Sequence, residues 1–187
     1  KKLKNENNLD YNLDEIVVSA GCKQSIFNFL QVIIDEGDEV IIPQPYWVSY
    51  ADMVKYSGGT PIMLVTDYEN NFDVDIDKFK SLINDKTKLF MLNSPNNPSG
   101  NLFRECDIKA LLVGFEGVVV IDEAYIDFTS INSWSNVLSD YPQVIVTQTL
   151  SKAFGLAGLR LGIAIAHPEI IQLLHNIKPP YNINTLS

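Results

Sequence analysis

Cysteine is scarce in this sequence: among its 187 residues only Cys22 and Cys106 occur. The two lie far apart, and neither a CxxC pair nor a nearby group of cysteines and histidines accompanies them. A disulfide framework and a zinc site are therefore not expected, and no metal site is predicted. Because unpaired thiols are typical of a reducing compartment, a cytoplasmic location is predicted.

Long apolar runs and an excess of positive charge are also missing. No stretch approaches the ~20 consecutive apolar residues that a membrane-spanning helix needs, and the first residues lack the apolar middle region of a signal peptide. The formal net charge is -9, and no basic face dominates. These features predict a soluble protein and argue against nucleic acid or a membrane as a partner.

Hydrophobic residues, by contrast, are plentiful. They make up 46% of the chain, against 20% charged residues, and turn residues interrupt the apolar runs, which predicts a packed globular domain. The patterns predict helices over 23–35, 47–58, 75–85 (capped by Asp75), 104–115 and 168–177, and strands over 39–43, 61–66, 88–93, 117–122, 143–149 and 161–166. Apolar strands alternating with amphipathic helices indicate an α/β fold whose mostly parallel sheet is covered on both faces.

Polar segments follow three of the predicted strands. They are "SPNNPSG", "DEAY" and "TLSK", and in such sheets the carboxyl ends of the strands form the ligand site. We therefore expect all three segments along one edge. The segment "SAGCKQS" precedes an apolar helix and is a good anion site, since the first helical N–H groups and the helix dipole point outward there.

Lys152 stands between an apolar strand and a run of small residues. A lysine is most often a solvated surface residue, and the position after a strand says little alone. Its neighbours Phe154, Leu156, Ala157 and Leu159 predict partial desolvation, which would favour the neutral amine that imine chemistry requires.

Asp122 closes the apolar run "VVVID". A carboxylate at a buried strand end is either paired with a cation or neutralised. The magnesium-binding aspartate of a nucleotide hydrolase is a rival interpretation, but its partner motif GxxxxGK[ST] does not occur here. His167 and His175 lack a serine or cysteine partner pattern and are assigned no catalytic role.

In combination these motifs are far more specific. Their order, from the helix start through the aromatic loop "QPYWVSY", "NNPSG" and "DEAY" to "SKAFGLAGLRLG", resembles the large domain of the pyridoxal-phosphate-dependent aminotransferases of the aspartate aminotransferase fold. The resemblance covers residues 9–187. It implies a three-layer α/β/α domain over 1–187 that binds pyridoxal 5'-phosphate, without the family's N-terminal segment and C-terminal small domain, and a homodimer.

The resemblance also implies roles for residues of the strand ends. Lys152 corresponds to the lysine that forms a Schiff base with the cofactor aldehyde and moves the substrate α-proton. Asp122 corresponds to the partner of the pyridine nitrogen, which keeps the ring an electron acceptor. Tyr125 and Asn97 correspond to the residues that hydrogen-bond the phenolic oxygen, Asn97 also helping to seat the substrate carboxylate. Trp47 corresponds to the aromatic residue stacked on the ring, although alone it would more often be a core residue.

The phosphate ligands implied by the resemblance come from two segments. Thr149, Ser151 and Arg160 correspond to side-chain ligands. The backbone N–H groups of Cys22 and Lys23 at the helix start complete the phosphate site.

The two parts of the chain resemble different members of the family. Residues 9–66 are similar to aspartate aminotransferases, and residues 70–187 are similar to histidinol-phosphate aminotransferases. A mosaic of two relatives, natural or engineered, and an intermediate family member would both explain this.

The resemblance implies ping-pong transfer of an amino group to a 2-oxo acid such as 2-oxoglutarate, with histidinol phosphate favoured as donor by the longer part and aspartate by the aromatic loop. The alternative is a truncated or chimeric cofactor-binding domain with little or no turnover, since a partner-reaching tyrosine and the carboxylate-binding arginine of the small domain are missing.

Overall fold

The framework of the protein is one seven-stranded sheet, seen in a computed structural model that describes residues 3–4 and 9–185. The two ends of the predicted 1–187 domain lie outside the described residues. The strands are β1 (Ile16–Ser19), β2 (Glu39–Gln44), β3 (Thr60–Val65), β4 (Thr87–Asn93), β5 (Val118–Asp122), β6 (Val144–Thr149) and β7 (Gly162–Ile165). Six of them match predicted strands to within a residue or two at each end.

The α-helices of the described chain also follow the predicted periodicity. They are α1 (Cys22–Ile33), α2 (Ser49–Tyr56), α3 (Ile76–Leu82), α4 (Glu105–Val113) and α5 (Pro168–Ile177). The predicted cap of α3 is confirmed, because the Asp75 side chain accepts a hydrogen bond from the Lys78 backbone nitrogen. Such a cap satisfies an N–H group that has no acceptor within the helix.

The strand order is β1-β7-β6-β5-β4-β2-β3. The five strands from β6 to β3 are parallel, whereas β7 runs antiparallel to both of its neighbours. The sheet is therefore mostly parallel, as predicted. Sequence patterning missed β1, a four-residue strand that alternates half-buried and buried positions and is too short for a clear periodic signal.

Apolar side chains cover the sheet on both faces. In β4, Phe90 and Leu92 belong to one core cluster and Leu89 and Met91 to the other, as alternation along a strand requires. The cluster of Phe90 is covered by α3 and α4, and that of Leu89 by α1, α2 and α5. The three-layer α/β/α architecture is thus confirmed.

The carboxyl ends of β4, β5 and β6 meet at one edge of the sheet. Asn93 at the end of β4 is in register with Asp122 at the end of β5, and β6 ends beside them at Thr149. Among the described residues, no helix is both long and apolar enough to cross a membrane.

Candidate active site

A cavity of about 230 Å³ opens at this edge of the sheet. Ten residues predicted from the sequence line it: Cys22, Lys23, Trp47, Asn97, Asp122, Tyr125, Thr149, Ser151, Lys152 and Arg160. Gly21, Asn93 and Ala124 complete the lining. Residues up to 139 positions apart in the chain are therefore neighbours here, which is what the strand-end rule for α/β sheets predicts.

Asp122 is the carboxylate of the cavity and is only 4% exposed. Its Oδ2 accepts a hydrogen bond from Tyr50 Oη at 2.6 Å. Its Oδ1 accepts from the Ala124 backbone nitrogen at 3.1 Å and from Cys22 Sγ and Thr147 Oγ1, each at 3.3 Å. Burial raises the pKa of Asp122, and these hydrogen bonds oppose the rise because they stabilise the charged form.

Asn93 ties two of the polar segments together. Its Nδ2 donates to the Asp122 backbone oxygen at 2.7 Å, and its Oδ1 accepts from the Asn97 backbone nitrogen at 2.7 Å. The side chain is almost fully buried. The loop that follows β4 is thereby held at a constant distance from the end of β5.

Tyr125 and Asn97 both line the cavity and contact each other. Asn97 Nδ2 donates to Tyr125 Oη at 3.3 Å. The Lys152 Nζ lies 5.5 Å from the centroid of the Tyr125 ring. An amine, a phenol and an amide are therefore within reach of one small ligand.

The start of α1 forms the cationic end of the cavity. Cys22 and Lys23 are the first two residues of α1, so their backbone N–H groups lack acceptors within the helix. Arg160 lies against this helix start, because a β-carbon on Gly21 would stand 2.8 Å from Arg160 Nη2. Helix N–H groups, the helix dipole and a guanidinium together make a binding site for an anion such as phosphate.

Thr149 and Ser151 line the cavity together with Lys152 and Arg160. The Ser151 backbone nitrogen donates to Thr149 Oγ1 at 3.1 Å, and Thr149 Oγ1 donates to the Leu161 backbone oxygen at 3.3 Å. These contacts hold the turn after β6 against the segment that carries Arg160.

Trp47 forms a side wall of the cavity. Its ring meets that of Tyr50 edge to face at a centroid distance of 5.4 Å. The Lys23 Nζ lies 5.3 Å from the Trp47 centroid and donates to Ser49 Oγ at 3.1 Å. Trp47 is half-buried, which leaves part of its surface available to a flat ligand.

One expectation about Lys152 is wrong. Lys152 is exposed in this chain, and so are Phe154 and Leu156, so the apolar neighbours do not bury it. The reason is that the segment after β6 is a turn on the surface and not a continuation of the core. Lys152 lies beside the Tyr125 ring instead.

The environment of Asp122 bears on the two alternatives that the sequence leaves open, pairing with a cation or neutralisation. No salt bridge of the described residues involves Asp122. Neutral donors surround its carboxylate instead. Two site residues, Tyr50 and Asn93, were not predicted from the sequence. Asn93 could have been found as the polar end of β4, whereas Tyr50 reads as an ordinary apolar position of α2. No cluster of potential metal ligands occurs in the part of the chain that the structure describes.

Comparison with known proteins gives a family match along the whole chain. The family model described as aminotransferase class I and II matches residues 1–187. The histidinol-phosphate aminotransferase of Flavobacterium psychrophilum is 55% identical over 117 residues, which are 63% of this chain and 34% of that protein. The aspartate aminotransferase of Bacillus subtilis is 35% identical over 197 residues, covering 100% of this chain and 50% of that protein.

Solved structures agree in fold. The aspartate aminotransferase of Thermotoga maritima superimposes with a TM-score of 0.90 at 28% identity, covering 99% of this chain and 52% of that one. The aspartate aminotransferase of Thermus thermophilus with maleate gives a TM-score of 0.85 at 32% identity, covering 95% of this chain and 49% of that one. The chain thus spans a third to a half of the length of these relatives.

Proposed function

This chain belongs to the class I and II aminotransferases, a family that depends on pyridoxal 5'-phosphate, and on that premise we propose that it is the cofactor-binding domain of an aminotransferase. The observation that carries the proposal is the convergence of Lys152, Asp122 and Arg160 on one cavity at the carboxyl edge of the sheet. An amine, a buried carboxylate and a guanidinium have few other reasons to share such a site. We propose that residues 1–187 form a single domain of this kind.

The chemistry of the lining fits the cofactor group by group. Arg160 and the start of α1 would bind the phosphate, with the hydroxyl groups of Thr149 and Ser151 completing its hydrogen bonds. Trp47 would cover one face of the ring. A cationic group would thus meet the anionic phosphate, and an aromatic side chain would meet the flat ring.

The remaining residues of the lining fit the ring substituents. Asp122 would accept a hydrogen bond from the pyridine nitrogen, and the donors around its carboxylate favour the charged form. Tyr125 and Asn97, already in contact with each other, would bind the phenolic oxygen. Lys152 would bind the aldehyde carbon.

The bound cofactor supplies an aldehyde that captures amino groups and a ring that accepts electrons from the substrate α-carbon. Asp122 would hold a proton on the ring nitrogen, because a carboxylate favours the cationic form of its partner. Lys152 would move a proton between the substrate α-carbon and the cofactor, acting first as general base and then as general acid. Asn97 would orient the substrate carboxylate beside these groups.

We propose histidinol phosphate as the amino donor, with aspartate next, and a 2-oxo acid such as 2-oxoglutarate as the acceptor. The higher identity of the histidinol-phosphate relative supports this order, while relatives named for aspartate cover the full chain. We also propose a cytoplasmic homodimer that acts in histidine biosynthesis. The alternative, a truncated or chimeric domain that binds cofactor with little turnover, is less favoured.

The test begins with cofactor binding to the purified chain. Pyridoxal 5'-phosphate should produce a visible absorbance band that borohydride converts into a permanent modification, found on Lys152 by peptide mass spectrometry. The Lys152→Ala variant should lose both signals, whereas Lys178→Ala, a change outside the cavity, should keep them. A band that persists in Lys152→Ala would overturn the assignment of Lys152.

Amino donors then separate an aminotransferase from a binding domain. Histidinol phosphate should convert the cofactor to its amine form faster than aspartate does, and 2-oxoglutarate should reverse the change. A chain that binds cofactor but responds to neither donor would support the alternative of a domain without turnover.

A further inference from the structure

Asp122 presents an unusual electrostatic arrangement at the floor of the cavity. It is a carboxylate that is 4% exposed and, within the described residues, forms no salt bridge. A buried carboxylate without a cation tends to take up a proton, since burial penalises the charged form. A protonated Asp122 would be a poor partner for a cationic ring nitrogen, so something must oppose protonation.

The side chains of Tyr50 and Cys22, from two helices on the same face of the sheet, each contact one of the two oxygens of Asp122. Tyr50 Oη on α2 donates to Oδ2 at 2.6 Å, and Cys22 Sγ at the start of α1 donates to Oδ1 at 3.3 Å. A hydrogen bond to a charged acceptor is stronger than one between neutral groups. Each contact therefore favours the carboxylate over the acid.

Both donors keep their protons at neutral pH. Burial, followed by the charge of Asp122, raises the pKa of Tyr50 and of Cys22 well above their ordinary values. Neither group can therefore become an anion that would repel Asp122. Tyr50 is fully buried and Cys22 is 7% exposed, so water does not replace either donor readily.

We propose that Tyr50 and Cys22 are positioning residues for Asp122, holding its carboxylate charged and in a constant orientation toward the cavity. The importance of this arrangement for catalysis rests on the proposed function, in which Asp122 binds the pyridine nitrogen of the cofactor. Its physical content concerns the ionisation of Asp122 and can be tested on the cofactor-free chain.

The first measurement is a pH titration of Asp122 by NMR of isotopically labelled aspartate carboxyl carbons, assigned with Asp122→Asn. Tyr50→Phe keeps the buried ring and removes one hydroxyl, so the midpoint of Asp122 should move to higher pH. Cys22→Ala should raise the Asp122 midpoint by a smaller amount. Cys22→Ser should raise it less than Cys22→Ala does, because a hydroxyl can donate a hydrogen bond to Asp122. Tyr56→Phe, on the exposed side of α2, and Cys106→Ala, on α4, are the matched controls and should leave it unchanged.

Other groups that could affect this titration are present in all variants. Glu123 follows Asp122 directly, and the remaining charged or titratable groups of the cavity are Lys23, Tyr125, Lys152 and Arg160. Comparison of each variant with its control therefore isolates the removed donor.

The second measurement is the affinity for pyridoxal 5'-phosphate as a function of pH. Tyr50→Phe should bind it roughly tenfold more weakly at neutral pH, the factor that one charged hydrogen bond supplies. The deficit should shrink at higher pH, where Asp122 is charged again. A loss from altered packing would not depend on pH in this way.

The outcomes separate the two proposals. A midpoint that is the same in Tyr50→Phe and Tyr56→Phe would overturn the inference, as would a pH-independent loss of affinity. Shifted midpoints in a chain whose wild type binds no cofactor would support the inference and overturn the proposed function. If Tyr50→Phe does not fold, Cys22→Ala and Cys22→Ser decide the matter by the direction of their shifts.

Discussion

Gly162 on β7 lies so close to Cys22 that a β-carbon on Gly162 would stand 2.0 Å from the Cys22 backbone nitrogen. In the sheet, Gly162 is in register with Ser19 on β1 and with Thr149 on β6. A residue without a side chain therefore lets β7 approach the start of α1. This contact sets the position of the helix N–H groups that form the anion end of the cavity.

Gly162→Ala should accordingly damage the anion site as well as the fold. The helix start must move, and overpacking of this kind costs about 1–3 kcal/mol of unfolding free energy. Urea unfolding and titration with pyridoxal 5'-phosphate should show lower stability and weaker binding. Gly158→Ala is the matched control, because a β-carbon there would meet no atom within 4 Å. Equal behaviour of the two variants would refute the proposed role of this contact.

Arg160→Ala should weaken binding of pyridoxal 5'-phosphate about tenfold or more, since a charge-assisted hydrogen bond to phosphate is lost. Pyridoxal, which lacks the phosphate, should bind the variant as it binds the wild type. Fluorescence titration with both ligands provides the comparison. Arg104→Ala, which removes an exposed arginine paired with Asp107 at 2.7 Å, should change neither affinity. An equal loss for both ligands would argue against phosphate recognition by Arg160.

Glu123 should make stability depend on pH. It is 1% exposed and accepts hydrogen bonds from Gln148 Nε2 at 2.9 Å and the Trp134 backbone nitrogen at 2.7 Å, as well as from Ser133 Oγ. Burial raises its pKa above the ordinary value of 4.5, although these hydrogen bonds oppose the rise. Above pH 4.5 the folded chain thus holds this proton more tightly than the unfolded chain does.

The Glu123 contribution to the free energy of unfolding should therefore be largest below pH 4.5 and decline as pH rises through the raised value. Glu123→Gln cannot titrate, so the stability difference between wild type and variant should shift in favour of the variant with rising pH. Urea unfolding from acid to neutral pH measures this difference. Glu116→Gln, which removes a carboxylate at an exposed position, is the matched control. A constant difference for Glu123→Gln would contradict the assignment.

Asp75 should contribute to stability through its cap on α3. Its Oδ1 accepts from the Lys78 backbone nitrogen at 3.0 Å, and loss of such a cap costs about 1 kcal/mol. Asp75→Ala should lower the urea midpoint accordingly, whereas Asp75→Asn, which keeps an acceptor, should lower it much less. Equal losses in the two variants would point to the charge of Asp75 and not to its cap.

Most of the helices and strands could be predicted because their signals are local. The predicted helix over 168–177 coincides with α5, Pro168–Ile177, whose amphipathic period is clear and whose proline stands at its first position. β1 was missed because four residues cannot display a period that separates a strand from a loop. The antiparallel direction of β7 was not predictable either, since it depends on which strand it joins in the sheet.

The residues of the site also differ in whether a local sequence signal identifies them. Lys152 and Asp122 could be placed because a lysine and a carboxylate at the ends of apolar runs carry a recognisable chemistry, and Arg160 was implied by the resemblance to the family. Tyr50 could not, since its contact with Asp122 joins residues 72 positions apart and nothing near Tyr50 in the chain indicates it. The exposure of Lys152 was predicted wrongly because the burial of a turn depends on what packs over it.

The amino-acid sequence by itself determined the layered α/β architecture and the set of reactive groups at the strand ends, because periodicity and residue type act locally along the chain. Only the tertiary structure decided how those groups are held. It brought Tyr50, Cys22 and Thr147 around the Asp122 carboxylate, and it set Gly162 against the start of α1. These are contacts between distant segments, and their energies exist only once the sheet and its helices have packed together.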